Sequence, residues 1–158
     1  ASVRQLTDGC QNKSAGQRHK FMENIIYAYT RKDAIADGFQ VEIDQKTSRS
    51  AGIIYPVYMN RSVWDRYVEV PKEMTGYQDE AGRLWDILWM FALKARKFEG
   101  AEMFFKFICQ LPKSEPWLDN EHSEEGEFQR LITLKSMVGP VDIDDPSPAI
   151  TIMFPNED

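Results

Sequence analysis

The stretch 84–93, Leu-Trp-Asp-Ile-Leu-Trp-Met-Phe-Ala-Leu, constrains this chain more than any other part of it. Leu84, Leu88, Phe91 and Ala95 recur at helical spacing and form one apolar stripe. Trp85, Ile87, Trp89, Met90 and Ala92 widen that stripe over most of the circumference. A helix apolar on nearly every side is normally buried on more than one. The pattern therefore predicts a long buried helix over about 82–99, opened near Glu80 or Gly82 and stopped by Gly100. Lys94, Arg96 and Lys97 stand in its last turns, where cations complement the helix dipole. The apolar stretch contains Asp86 and is too short to span a bilayer, so no membrane role is expected.

The layer that would cover such a helix follows it in the chain. Residues 103–111 are strongly β-prone, 128–138 alternate, and 149–154 close the chain with another extended run. In the second of these, Leu131, Thr133 and Lys135 fall on one side and Ile132, Leu134 and Ser136 on the other. Gly139-Pro140 is read as the start of the turn into the third. Consecutive strands joined by loops without helices favour an antiparallel meander.

Upstream, 25–29 is β-prone, and Thr30 is placed to cap a short helix over 31–37 that ends at Gly38. Residues 39–43 alternate as a half-exposed strand, and Asp44 caps a further helix through Ala51. An extended run over 53–59 carries Pro56, which suggests an edge or a bulge. Asn60 then opens a helix over 61–68 with Val63, Trp64 and Tyr67 on one apolar side.

The expected fold class is α+β: a C-terminal antiparallel sheet (about 103–111, 128–138 and 149–154) packed on the long helix, preceded by shorter helices and strands. A chain of 158 residues fits one domain, assigned to 25–158. Residues 1–24 are polar and interrupted by Asp8-Gly9, Asn12, Ser14 and Gly16, and are read as a mobile arm.

Two cysteines, Cys10 and Cys109, argue against a disulfide scaffold and for reduced thiols in the cytoplasm. With His19 and His122 they are the only soft or imidazole ligands, and none forms a close pair of the kind zinc sites use. The run Val141-Asp-Ile-Asp-Asp-Pro lacks the glycine and distal glutamate of an EF-hand. No metal and no cofactor is expected. The G-x-S-x-G, Walker A and G-x-G-x-x-G motifs are absent.

The net charge of −6 is concentrated in two late segments. Residues 111–127 hold six acids against Lys113 alone, and 142–158 hold five acids and no base. Such surfaces repel phosphate backbones and attract basic partners, so direct nucleic-acid binding is not expected and a protein partner is. Glu121, Glu124 and Glu125 are the candidate contacts, and neutralising them should leave folding intact.

The densest polar constellation opens the long helix: Asp79 and Glu80 ahead of it, Arg83 and Asp86 three residues apart within it. One reading is a small enzyme site, with Arg83 holding an anion and Asp79, Glu80 or Asp86 as acid or base. Tyr29 and Arg31 are candidates to line the same site. The other reading is a binding or accessory protein without catalysis. Cys109 with His122 is a weaker nucleophile–base pair, and a buried thiol behaving as a small hydrophobe is the simpler reading.

Four runs carry a resemblance. They are Tyr29-Thr-Arg-Lys-Asp-Ala-Ile-Ala-Asp-Gly38, Tyr77-Gln-Asp-Glu-Ala-Gly-Arg-Leu-Trp-Asp-Ile-Leu-Trp-Met90, Leu131-Ile-Thr-Leu-Lys135 and Pro148-Ala-Ile-Thr-Ile-Met-Phe-Pro155. Together they resemble an uncharacterised family of small bacterial, plasmid- and phage-encoded proteins, over about 25–158. The resemblance implies an accessory role in a mobile-element setting and transfers no catalytic residue.

Overall fold

The computed structural model describes residues 29–126 and 128–158. Thr30 opens α1 (Arg31–Ala36) with a capping box: its hydroxyl accepts from Asp33 N at 3.0 Å, and Asp33 Oδ2 accepts from Thr30 N at 3.2 Å. Gly38, at φ 83°, turns the chain into β1 (Gln40–Glu42). Asp44 caps α2 (Gln45–Ser50), and β2 (Val57–Asn60) follows. Next comes α3, a single α turn (Arg61–Val63) that widens into a π turn (Trp64–Val68), where Glu69 N bonds Trp64 O at 2.8 Å. A 3₁₀ turn (Lys72–Met74) leads to α4 (Glu80–Ala95). Four strands complete the chain: β3 (Glu102–Gln110), β4 (Glu121–Ser123), β5 (Gln129–Asp142) and β6 (Asp145–Met153).

The strands form one sheet in the order β1-β2-β6-β5-β3, with β4 also paired to β5. β5 is its spine. One edge of β5 pairs with β3, from Gln129 opposite Gln110 to Met137 opposite Glu102. Its other edge takes β4 first and then β6. All pairings are antiparallel except β2 with β6.

The α+β class and the antiparallel C-terminal strands are as the sequence leads one to expect. Three features differ. First, the sheet does not stop at the C-terminal strands. β2 adds parallel to β6, and β1 adds beyond it. Pro56 therefore does not mark an edge. It lies one residue ahead of an interior strand, where the missing N–H costs nothing and its carbonyl still accepts from Ile150 N at 2.9 Å.

Second, Gly139-Pro140 does not turn. β5 runs on to Asp142, and the reversal is made by Ile143-Asp144. Pro140 is opposite Pro148; each lacks an N–H but keeps its carbonyl, and Pro140 O accepts from Arg31 Nη2 at 3.3 Å.

Third, α4 is buried on one face only. Leu84, Ile87, Leu88, Phe91 and Ala92 enter the core, whereas Trp89, Met90 and Leu93 are 39%, 38% and 37% exposed. Among the described residues one sheet layer covers the helix, and the wide apolar belt wraps past what that layer buries. Trp85 and Trp89 use the surplus by stacking on each other at 5.7 Å.

The core lies between this helix face and one face of the sheet, where Phe105, Phe107, Ile132, Leu134, Ile152, Val57 and Met59 meet it. α1 lies across the opposite face. The expected strand over 25–29 and the expected arm over 1–24 fall on or among residues outside those described, apart from Tyr29, which is not in a strand.

Candidate functional site

The site is built around Arg83. Asp79 starts α4 by accepting from Gly82 N at 2.6 Å, and this sets the phase of the helix so that Arg83 points inward one turn later. There it meets the end of α3. The last carbonyls of a helix have no partner within it and attract cations. Arg83 Nε donates to Tyr67 O at 2.6 Å and Nη2 donates to Arg66 O at 3.3 Å. Nη2 also lies 3.2 Å from Cys109 Sγ on β3. The side chain thus clamps α3, α4 and β3 together, and only 5% of the residue is exposed.

One nitrogen of that guanidinium is not used. Arg83 Nη1 is buried without a hydrogen-bond partner, and so is Gln78 Oε1. Both residues line a cleft of about 470 Å³ between α4 and β3. Trp89 and Met90 form its helix wall, Phe107 and Ile108 its strand wall, and Asp86 and Lys106 also border it.

The sequence-derived candidates separate in space. Arg83 and Asp86 both border the cleft, but no ion pair joins them, because Arg83 turns to the α3 carbonyls. Desolvation raises the Asp86 carboxyl above its ordinary value. The Asp79 carboxylate is engaged as the helix cap, and Glu80 is exposed in the first turn. Tyr29 and Arg31 do not reach the cleft. Tyr29 donates to Asp37 at 2.7 Å, and that bond leads the effects that push its hydroxyl up to about 12.

Arg31 is a strut on the other sheet face. It stacks 4.1 Å over the Tyr58 ring and donates to Val141 O, Gln40 Oε1 and Thr151 Oγ1. Tyr58 opposes Thr151, which opposes Met137, which opposes Glu102, so Arg31 lies against the face that Cys109 does not occupy.

Cys109 and His122 do not make a dyad. They lie on strands at opposite edges of β5, opposite Arg130 and Leu131 respectively, and so project from opposite faces. Burial pushes the Cys109 thiol up to about 11, and the nearby Arg83 only partly offsets this. The folded protein should consequently resist iodoacetamide at pH 7.5. We expect Cys109 to be alkylated at least about 100-fold more slowly than in the urea-unfolded chain, since the thiolate is the reacting species. Mass spectrometry of the 109-containing peptide checks this, and comparable rates would contradict it.

Glu121 is the largest correction. It is no surface contact: its side chain is fully buried. The carboxylate accepts from Arg66 Nε at 2.6 Å, Arg66 Nη2 at 2.9 Å, Arg130 Nη1 at 2.9 Å, Leu118 N at 3.2 Å and the Tyr67 hydroxyl. Burial by itself raises a carboxyl, but these donors outweigh it and hold Glu121 below the ordinary range. Arg130 also donates to Pro112 O, Glu115 O and Pro116 O, and Trp117 covers it at 4.0 Å. The acidic segment after β3 is therefore strapped down by two arginines. Of the three proposed acidic contacts, Glu125 is exposed, Glu124 is half-buried and Glu121 is removed from the surface.

Sequence reasoning missed Lys106 and Arg130, and it gave Gln78, within the polar run that opens α4, no role of its own. For Arg130 a signal existed. It shares the alternating register of Ile132 and Leu134, and a charge in an inward register requires a buried partner.

Among the described residues, no three His, Cys, Asp or Glu side chains gather as a metal site, and no helix is long and apolar enough to cross a membrane. No curated protein and no solved structure matches the chain. A family model does match, from residue 19 through residue 158, and so reaches further toward the N-terminus than the resemblance noted above. The chain belongs to that family, a family of unknown function designated DUF6573.

Proposed function

We propose that this protein is a non-enzymatic binding protein whose cleft between α4 and β3 takes a carboxylate-bearing ligand with an apolar body. The observation that carries the reading is the buried, unpartnered Arg83 Nη1. A buried polar group left without a partner costs roughly 1–3 kcal/mol, and more when charged. A ligand carboxylate that reaches this nitrogen recovers that cost and forms a charge-assisted bond. The walls suit an apolar body, since Trp89, Met90, Phe107 and Ile108 all border the cleft. Binding without turnover agrees with the chemistry at hand: the thiol of Cys109 stays protonated near neutral pH, and among the described residues Asp86 is the one acid that lines the cleft with it.

Phenylacetate is a suitable probe, with phenylacetamide as its neutral isostere. Calorimetry should show phenylacetate bound at least about tenfold more tightly, the difference expected for one hydrogen bond to a charged group. Side-chain ¹⁵N signals of Arg83 should shift on titration with phenylacetate and not with phenylacetamide. Equal affinities, or saturation without an Arg83 response, would overturn the proposal.

A further inference from the structure

We infer that the ligand of this cleft is the carboxy-terminal end of an extended peptide, added as a strand parallel to β3. The inference rests on the carboxylate reading above and names its ligand. Three observations lead to it.

The first is a free sheet edge. β3 pairs with β5 and, among the described residues, with no other strand. Its nine residues run in unbroken register, with none of the bulges that commonly blunt an edge. The second is that the cleft borders this edge: Lys106, Phe107, Ile108, Cys109 and Gln110 all line it. The third is the pair of unused groups. Arg83 and Gln78 both line the cleft, and Arg83 Nη1 is a buried donor and Gln78 Oε1 a buried acceptor without partners. A terminal peptide residue carries the matching set, a carboxylate to accept and an N–H to donate.

The direction follows from the fold. α4 turns back through 96–101 into β3, so Arg83 lies beside Cys109, near the end of the strand. A carboxylate held there makes the peptide run the same way as β3. The seven residues from Arg83 to Met90 rise about 10 Å along the helix. The three from Cys109 to Lys106 span about the same along the strand. The groove therefore takes about three peptide residues, backbone on β3 and alternate side chains against Trp89 and Met90.

The test uses N-acetyl-Ala-Val-Thr-Val with a free carboxylate, its C-terminal amide, and versions methylated at one backbone nitrogen at a time. The free acid should bind, with amide shifts in 106–110. The amide form, and at least one N-methyl form, should bind at least tenfold more weakly. Because Arg83 also holds α3 in place, Arg83→Met is open to misfolding, and Gln78→Leu serves as the second variant. It should weaken the peptide at least fivefold and phenylacetate, which has no N–H to offer it, by a smaller factor. Equal binding of acid, amide and all N-methyl peptides overturns the inference. So does a concentration-dependent dimer by sedimentation that shifts the same 106–110 amides without peptide, since the edge then belongs to a second copy. Phenylacetate binding without peptide binding sinks this inference alone, whereas failure of both sinks the carboxylate reading as well.

Discussion

Replacing Glu121 by glutamine should cost this protein about 3–5 kcal/mol, the range for removing one partner of a buried ion pair. The amide keeps the shape of the carboxylate and none of its charge. Arg130, with only 3% of its side chain exposed, would lose its counter-ion, and Arg66, with 17%, would keep only the more exposed Glu115 at 3.5 Å. The carbonyls of Pro112, Glu115 and Pro116 would lose a firmly placed donor, so the strap over the end of the sheet should loosen with them. Against a total stability on the order of 5–15 kcal/mol, this is a large fraction. A chain of this length loses about 2–4 °C in Tm per kcal/mol, so a fall of about 10 °C is expected. Thermal unfolding by circular dichroism checks it, and a change under about 2 °C would show that the network contributes nothing to stability.

The same group sets a pH dependence. The folded protein holds Glu121 below its ordinary pKa. A depressed carboxyl stabilises the fold fully above its unfolded value of about 4.3, and that stabilisation is lost as pH falls toward the folded value. Wild-type stability should decline below about pH 4 more steeply than that of Glu121→Gln, which has no such proton to take up.

The second large effect separates the two sides of α4. Leu88→Ala should cost about 2–5 kcal/mol, because Leu88 is fully buried and its removal leaves a cavity among well-packed neighbours. Trp89→Ala, one residue on, removes far more atoms but should cost only about 1 kcal/mol. Trp89 is partly exposed, stacks on Trp85 and has Arg96 5.9 Å over its ring. Denaturant titration of both variants decides the matter. If Trp89→Ala proves the more damaging, the outer side of α4 is covered by something the fold described above does not contain.

That contrast marks where local pattern stopped being informative. Trp85, Trp89 and Met90 read as core because an apolar side chain at helical spacing carries no mark of which neighbour will cover it. Arg83 was singled out from its sequence position, as the anion-holding residue of a small site shared with Asp79, Glu80 or Asp86. Its actual surroundings, the Arg66 and Tyr67 carbonyls and the Cys109 thiol, come from segments 16, 17 and 26 residues away. Glu121 was misplaced for the same reason: its neighbours in sequence are acidic and solvated, whereas its partners Arg66 and Arg130 arrive from α3 and β5.

What the chain determined by itself was local. Thr30, Asp44 and Asp79 cap their helices, and β3 and β5 alternate as their residues require. These depend on hydrogen bonds and periodicities that close within a few residues. Only the tertiary structure decided that β2 joins β6 in parallel, that Glu121 turns inward, and that Arg83, beside a cleft, keeps one buried nitrogen unused. Each depends on side chains far apart in sequence becoming neighbours. Burial then determines whether the same arginine or glutamate is a solvated charge or the centre of a site.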